Sequence, residues 1–299
     1  MLLAVIDPGM IRADECLPPH AVILIYHHVA EETPPSTSVT PTLFQSHLDF
    51  LAEGGFHVAP LDSVVTALRQ GRDLPDSTVV LTFDDGYVSV YEEAFPRLRE
   101  RGWPFTPRQH QQRLEEEWRR AQGRLVQELG SAPKLLAYTY GEYSPAVQAV
   151  VRKLGWAGLG QQSGAAGPRS DFTCLPRFPM AAGFAGLETF GQKVSCLPWP
   201  TELTPRADPT WPLDAPEAPT LALVADMTCL RAGSVAAYAS GQGKIPLRWR
   251  DQEAGHLEIQ APDPLPGGRS RYNVTAPAAE AGRWYWFSQV WIVGQEHTY

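Results

Sequence analysis

The chain has 299 residues, 43% hydrophobic and 19% charged, which is enough apolar material for one or two buried cores. A formal charge of −8 argues against binding a nucleic-acid backbone, and no apolar run approaches the roughly 18 residues that a membrane span needs. The four cysteines (Cys16, Cys174, Cys196, Cys229) contain no C-x-x-C pair, so zinc-ribbon and thioredoxin-like readings lack support; buried thiols or one disulfide remain open.

Residues 1–20 read as an N-terminal tail or the remnant of a signal segment: the apolar patch is short, lacks a basic start and is interrupted by Pro8 and Gly9. Residues 21–197 then alternate strand-like and helix-like segments. "AVILIYHHV" is a continuous apolar run of strand length. "TLFQSHLDFLAEGG" carries Leu43, Phe44, His47, Leu48 and Leu51 at helical spacing before a glycine stop. "FHVAPL" reads as a short strand, "LDSVVTALRQG" as a helix and "TVVLTF" as a second buried strand. "VSVYEEAFPRLRERG" reads as a helix kinked at Pro96. A long polar helix follows in "RQHQQRLEEEWRRAQGRLVQELG", then a strand in "KLLAYTY" and a helix opened by Pro145 in "PAVQAVVRKLG". Such alternation predicts parallel strands covered by helices, in an open sheet or a barrel, with chemistry at the carboxyl ends of the strands.

Residues 198–219 hold prolines at 198, 200, 205, 209, 212, 216 and 219, too frequent for a helix or a central strand, and predict an extended linker. Residues 220–299 change character. "TLALVADM", "IPLRWRD", "HLEIQA", "RYNVTAP" and "RWYWFSQVWIV" are β-type segments separated by turns, which suggests a small β-sandwich. Trp249, Trp284, Trp286 and Trp291 could offer sugar-stacking platforms or fill a core. Alternation puts Trp284, Trp286, Ser288, Val290 and Ile292 on one strand face and Tyr285, Phe287, Gln289, Trp291 and Val293 on the other, so one ring is expected to be exposed or at the domain interface.

The polar tails His27-His28, Asp84-Asp85 and Tyr138 to Glu142 all fall at predicted strand ends. Neighbouring strand residues point to opposite faces, so Asp84 and Asp85 converge only where the strand has ended. Two carboxylates about 5 Å apart repel by roughly 3 kcal/mol at an effective dielectric of 20, which calls for a raised pKa or a bound cation. The plainer alternative is that Asp85 caps a helix starting near Tyr87.

"TFDDGY", with "ILIYHHV" upstream and "LLAYTYGEYSP", "GQQSG" and "CLPRFPM" downstream, resembles the polysaccharide deacetylase family of NodB-type carbohydrate esterases, and within it the branch acting on biofilm poly-N-acetylglucosamine. The resemblance runs from about Ala21 to Met180. It implies a distorted or incomplete (β/α) barrel, hydrolysis of N-acetyl groups on an N-acetylglucosamine polymer, and a periplasmic or extracellular setting. It makes Asp84 the general base on a metal-bound water, Asp85 a ligand to a divalent zinc, cobalt or nickel ion, and His27 the acid that protonates the departing amine. It places the Tyr140 amide at the oxyanion and lets Arg177 orient Asp84. Without the resemblance, His27 reads as a buried hydrogen-bonded histidine and Arg177 as a surface arginine; His28 reads as structural.

Two departures stand out. Thr139 replaces the family's proline before Tyr140, so the φ angle there is not preset. The family's His-x-x-x-His segment, which supplies two metal ligands, is missing: between Asp85 and Tyr140 the one histidine is His110, and the next lies at His256. "RERGWPFT" runs directly into "PRQHQQRLEEEW", as an internal deletion would leave it. His110 is thus either a substitute metal ligand or a solvated helix-face histidine. The readings that follow are a metal-dependent de-N-acetylase impaired by lost ligands, a catalytically inactive glycan-binding descendant, and, third, a hydrolase or phosphatase using Asp84 as nucleophile without a phosphate loop or a G-x-S-x-G elbow. The sequence leaves oligomeric state open.

Overall fold

The computed structural model describes residues 17–31, 33–85, 87, 89–104, 115–201, 208–230, 233–278, 280 and 282–294. The runs "AVILIY" and "TVVLTF" form strands Ala21–Tyr26 and Thr78–Phe83, paired in parallel and buried at every position. They read as unbroken apolar runs because both faces are covered. Val22, Leu24, Tyr26, Val79, Leu81 and Phe83 meet helix Pro41–Glu53 through Phe44, Leu48 and Leu51. Ala21, Ile23 and Val80 meet helix Leu61–Arg69 through Leu61, Val64, Val65 and Leu68. The first helix starts where Thr40 caps it, its hydroxyl accepting from the Leu43 amide at 3.1 Å.

His57–Val58 and Phe178–Pro179 extend this sheet on either side, giving four parallel strands in the order His57–Val58, Thr78–Phe83, Ala21–Tyr26, Phe178–Pro179. A second parallel pair, Leu135–Ala137 with Ala157–Leu159, touches the region through a bridge from Leu159 to Leu175. Helix Pro145–Lys153 opens on its proline behind the Ser144 cap, as expected. The expected kink at Pro96 takes a specific form: a π-turn over Val90–Ala94 runs into helix Phe95–Glu100, with Pro96 in its first turn, where its missing N–H is not needed. The polar helix is described over Glu115–Leu129; His110 lies outside the described residues.

The carboxyl-terminal strands form two sheets. One runs Thr210–Trp211, Trp284–Val293, Gly268–Pro277, Ala236–Ala239, Gly243–Ile245, with Cys196–Pro198 also paired to Trp284–Val293. The other runs Leu221–Val224, His256–Ile259, Leu247–Asp251. Leu221, Leu223, Leu257 and Ile259 share one core with Ala237, Tyr272, Val274, Tyr285 and Trp291.

The expectation of an extended linker over residues 198–219 is corrected at both of its ends, and residues 202–207 lie outside the described residues. Its start continues strand Cys196–Pro198, parallel to Trp284–Trp286, and Thr210–Trp211 pairs with Ile292–Val293. Buried Trp199 donates from Nε1 to the Val224 carbonyl at 3.1 Å, and the Pro219 carbonyl accepts from the Tyr272 hydroxyl at 2.9 Å. Proline is tolerated here because these are short edge pairings that need few backbone donors. The two faces of Trp284–Val293 divide as expected. Tyr285, Phe287, Trp291 and Val293 enter the carboxyl-terminal core. On the other face, Trp286 meets Phe178 edge-on, with ring centroids 5.3 Å apart, and Val290 packs with Tyr138, Tyr143 and Val147. Trp284 keeps 42% of its surface exposed.

Candidate active site

Strand Thr78–Phe83 holds its register one residue past its end, where the Asp84 amide donates to the Tyr26 carbonyl at 3.0 Å. Asp84 thereby stays on the buried side, only 8% exposed. Asp85 then turns the chain with a φ of 65° and is exposed at the cavity rim. The helix-cap alternative for Asp85 falls on a stretch in which Gly86 and Val88 lie outside the described residues; the described helical segment runs from Ser89. Asp85 is hydrogen-bonded with Tyr87, whose phenol is pushed up by burial and by that carboxylate.

Arg177, just before strand Phe178–Pro179, is completely buried. It reaches past the central strand to grip Asp84 with both ends of its guanidinium, Nη1 to Oδ1 at 2.8 Å and Nη2 to Oδ2 at 3.0 Å. Its Nε donates to the Gly160 carbonyl at 2.7 Å, so the "GQQSG" and "CLPRFPM" segments meet beneath the aspartate. The surface-arginine alternative is overturned, because the fork leaves no freedom for a solvated side chain.

His27 follows the central strand directly and faces the same cavity as Asp84. Its imidazole pKa lies below 6.5, because burial outweighs the opposing pull of Asp84 and Asp85. His28 turns to stack on Tyr87, with centroids 3.6 Å apart, in keeping with its structural reading. Tyr140 sits in a tight turn at φ 54°, a left-handed conformation that a non-glycine residue holds only when its surroundings impose it. The turn's own bonds, Gly141 amide to Tyr138 carbonyl and Glu142 amide to Thr139 carbonyl, do not use the Tyr140 amide.

What imposes that turn comes from the other end of the chain. Arg269 donates to the Tyr140 carbonyl at 2.9 Å, lies 5.4 Å over its ring and approaches Glu142 at 3.6 Å. Arg269 and Arg271 both line the cavity, and neither was among the candidates read from the sequence. The available signal was the R-x-R spacing in a strand, which puts two arginines on one face. Lys193 was also missed. It donates to the Pro179 carbonyl at 3.0 Å and the Phe184 carbonyl at 2.7 Å, tying down one wall, and burial lowers its pKa to about 8.

The result is a cavity of about 690 Å³ into which His27, Asp84, Asp85 and Tyr140 all face, with Arg177 beneath it. Among the described residues, no three His, Cys, Asp or Glu side chains gather in a way that could hold a metal ion. Asp85 and the two neighbouring histidines do not make such a set: His28 is stacked away on Tyr87, and Asp85 is shared with the same phenol. The donors described here do not fit a divalent metal.

No protein-family model matches the chain. The poly-beta-1,6-N-acetyl-D-glucosamine N-deacetylase of Escherichia coli (strain K12) is 33% identical over 101 residues, which make up 33% of this chain and 15% of that protein. A curated polysaccharide deacetylase relative in Bacillus subtilis (strain 168), YxkH, is 30% identical over 84 residues, 28% of this chain and 29% of its own length. The chain therefore matches less than a third of the length of either relative. In fold, it superimposes on the Streptococcus pyogenes deacetylase PplD with a TM-score of 0.52 at 20% identity, over 59% of this chain and 99% of that one. Over the matched residues the chain is similar to polysaccharide deacetylases. Polysaccharide deacetylase folds of mixed α/β type are what this likeness establishes, and no helix among the described residues is long and apolar enough to cross a membrane.

Proposed function

We propose that the His27–Asp84–Tyr140 cavity removes N-acetyl groups from an N-acetylglucosamine-containing polysaccharide, in a periplasmic or extracellular setting. The observation that carries this reading is the buried bidentate Arg177–Asp84 pair opening onto a cavity shared with His27 and Tyr140. With both oxygens fixed, Asp84 accepts a proton from a water attacking the acetamide carbon; each oxygen keeps a lone pair for it. The Tyr140 amide, which the described turn bonds leave unused, is the donor for the carbonyl oxygen as it becomes an oxyanion. When the C–N bond breaks, the nitrogen takes a proton from His27, and acetate and a free amine leave. His27 donates only as imidazolium, so its lowered pKa puts activity on the acid side of 6.5. The zinc, cobalt or nickel ion implied by family resemblance has no donor set among the described residues, and no step here runs through one.

That same mismatch favours a second reading, a deacetylase-derived protein that binds glycan without turnover. Acetate release from N-acetylglucosamine oligomers, measured with and without a chelator beside calorimetric binding of the same oligomers, separates the two. Release lost in Asp84→Asn supports hydrolysis. Binding with no release supports the second reading. Neither binding nor release overturns both.

A further inference from the structure

The charges around the cavity do not balance locally. Arg177 is matched by Asp84, and Arg269 has Glu142 and the Tyr140 carbonyl. Arg271, two residues along the same strand face, is half-buried in the cavity wall. Its Nε is buried without a hydrogen-bond partner among the described residues, and no described carboxylate pairs with the side chain. Burial lowers the Arg271 pKa, and repulsion from Arg269 beside it adds to the shift.

A guanidinium does not escape such a position by losing its proton, and an unpaired charge partly withdrawn from water carries a desolvation cost. Strand Gly268–Pro277 is long, and outward positions facing a domain contact are easily filled by neutral residues, as Asn273 shows by bonding to Trp286. An arginine kept there without a partner is therefore set for an anion that arrives from the cavity. Its planar fork matches a carboxylate, which it can bind through two parallel N–H···O bonds. A cationic wall also disfavours sugars whose amines have already been freed.

Building on the glycan reading, we infer that Arg271 is a substrate-recognition residue, and that the polymer taken into this cavity alternates N-acetylated sugars with sugars carrying a carboxylate. The carboxyl-terminal sheet thus reads substrate charge, while the strand ends of the first domain hold the acetamido group. The acetyl-bearing sugar lies against His27, Asp84 and Tyr140, and its acidic neighbour against Arg271.

The test is calorimetric binding to the full chain of three probes: a hyaluronan oligosaccharide (N-acetylglucosamine alternating with a uronate), a neutral N-acetylglucosamine oligomer of equal length, and sodium acetate as a free carboxylate. The expected result is that the acidic oligomer binds at least about tenfold more tightly than the neutral one, the scale of one charge-assisted hydrogen bond. Arg271→Gln should remove that preference, bringing the acidic oligomer down to the affinity of the neutral one, while Arg248→Gln on the exposed part of the other sheet should leave the preference intact. Equal affinity for both oligomers, or a preference that survives Arg271→Gln, overturns this inference and leaves the glycan reading standing. Acetate binding as tightly as the acidic oligomer overturns the sugar-borne assignment. Binding of neither oligomer removes both readings. Circular dichroism and the urea midpoint of Arg271→Gln show whether the variant is folded, and Arg271→Lys, which keeps charge but loses the fork, should retain only part of the preference.

Discussion

Replacing Arg177 by methionine tests how the site is assembled. The substitution keeps most of the side-chain length but leaves Asp84, 8% exposed, without the fork that binds both its oxygens, and leaves the Gly160 carbonyl without its donor. Breaking a buried ion pair by removing one partner typically costs about 3–5 kcal/mol, because a charge stays behind in a low-dielectric setting. Asp84→Asn should cost a similar amount, since its amide oxygen accepts from one guanidinium nitrogen but the buried Arg177 cation loses its counter-charge. In the double variant Arg177→Met/Asp84→Asn no unpaired carboxylate remains, so the combined loss should fall short of the sum of the single losses by about 2 kcal/mol. Urea unfolding followed by tryptophan fluorescence measures all four proteins. A loss under about 1 kcal/mol for Arg177→Met, or single losses that add within about 0.5 kcal/mol, would refute the claim that these residues form one coupled unit.

Three further outcomes follow from the geometry. His47 is buried with Nε2 donating to the Ala185 carbonyl at 2.6 Å and Nδ1 accepting from the Tyr26 hydroxyl at 3.1 Å, and burial brings its pKa from 6.5 to about 4. Between those values the unfolded chain binds more protons, so up to about 3 kcal/mol of stability present above pH 6.5 should be lost as pH falls to 4, and urea midpoints should decline less steeply over that window in His47→Gln. If the chain hydrolyses acetamido sugars, His27→Gln should cut acetate release by about 10²–10⁴-fold with oligomer affinity nearly unchanged, and wild-type release should fall as pH rises past the His27 titration; a flat pH profile would contradict its acid role. Trp286→Ala, which removes the ring wedged against Phe178, should lower the urea-derived stability by about 3 kcal/mol, whereas Trp284→Ala, at an exposed ring, should shift it by less than about 1 kcal/mol.

Much of the first domain was legible because local and global signals agreed. "AVILIY" and "TVVLTF" are apolar throughout, and a strand covered on both faces demands that pattern. Thr40 and Pro145 mark helix starts by local chemistry alone. The polar tails carrying His27, Asp84 and Tyr140 were legible as strand ends, and they line one cavity because parallel strands gather their ends on one rim. Strand Phe178–Pro179 has only two residues, too few for any period, so Arg177 could not be placed as buried from its own neighbourhood. The prolines of residues 198–219 suggested freedom, but a lack of backbone donors is equally compatible with edge pairing, and only the facing strand decides between the two. Arg269 and Arg271 looked like the solvent side of an ordinary alternating strand. Which side faces solvent is set by tertiary packing some 130 residues away in sequence, at Tyr140.

Past Trp284, the strand Trp284–Val293 is covered on both faces. One side completes the interior of the terminal sheets, and the other is roofed by Phe178 and the tyrosines around Val290. The last third of this chain is consequently a party wall rather than an annex. Cutting the protein near residue 195 would strip a whole flank from the amino-terminal part, bare the hydrophobic side of the remnant and release the clasp on the Tyr140 turn. Engineering that trims or exchanges the terminal region should therefore treat the two parts as one piece of masonry.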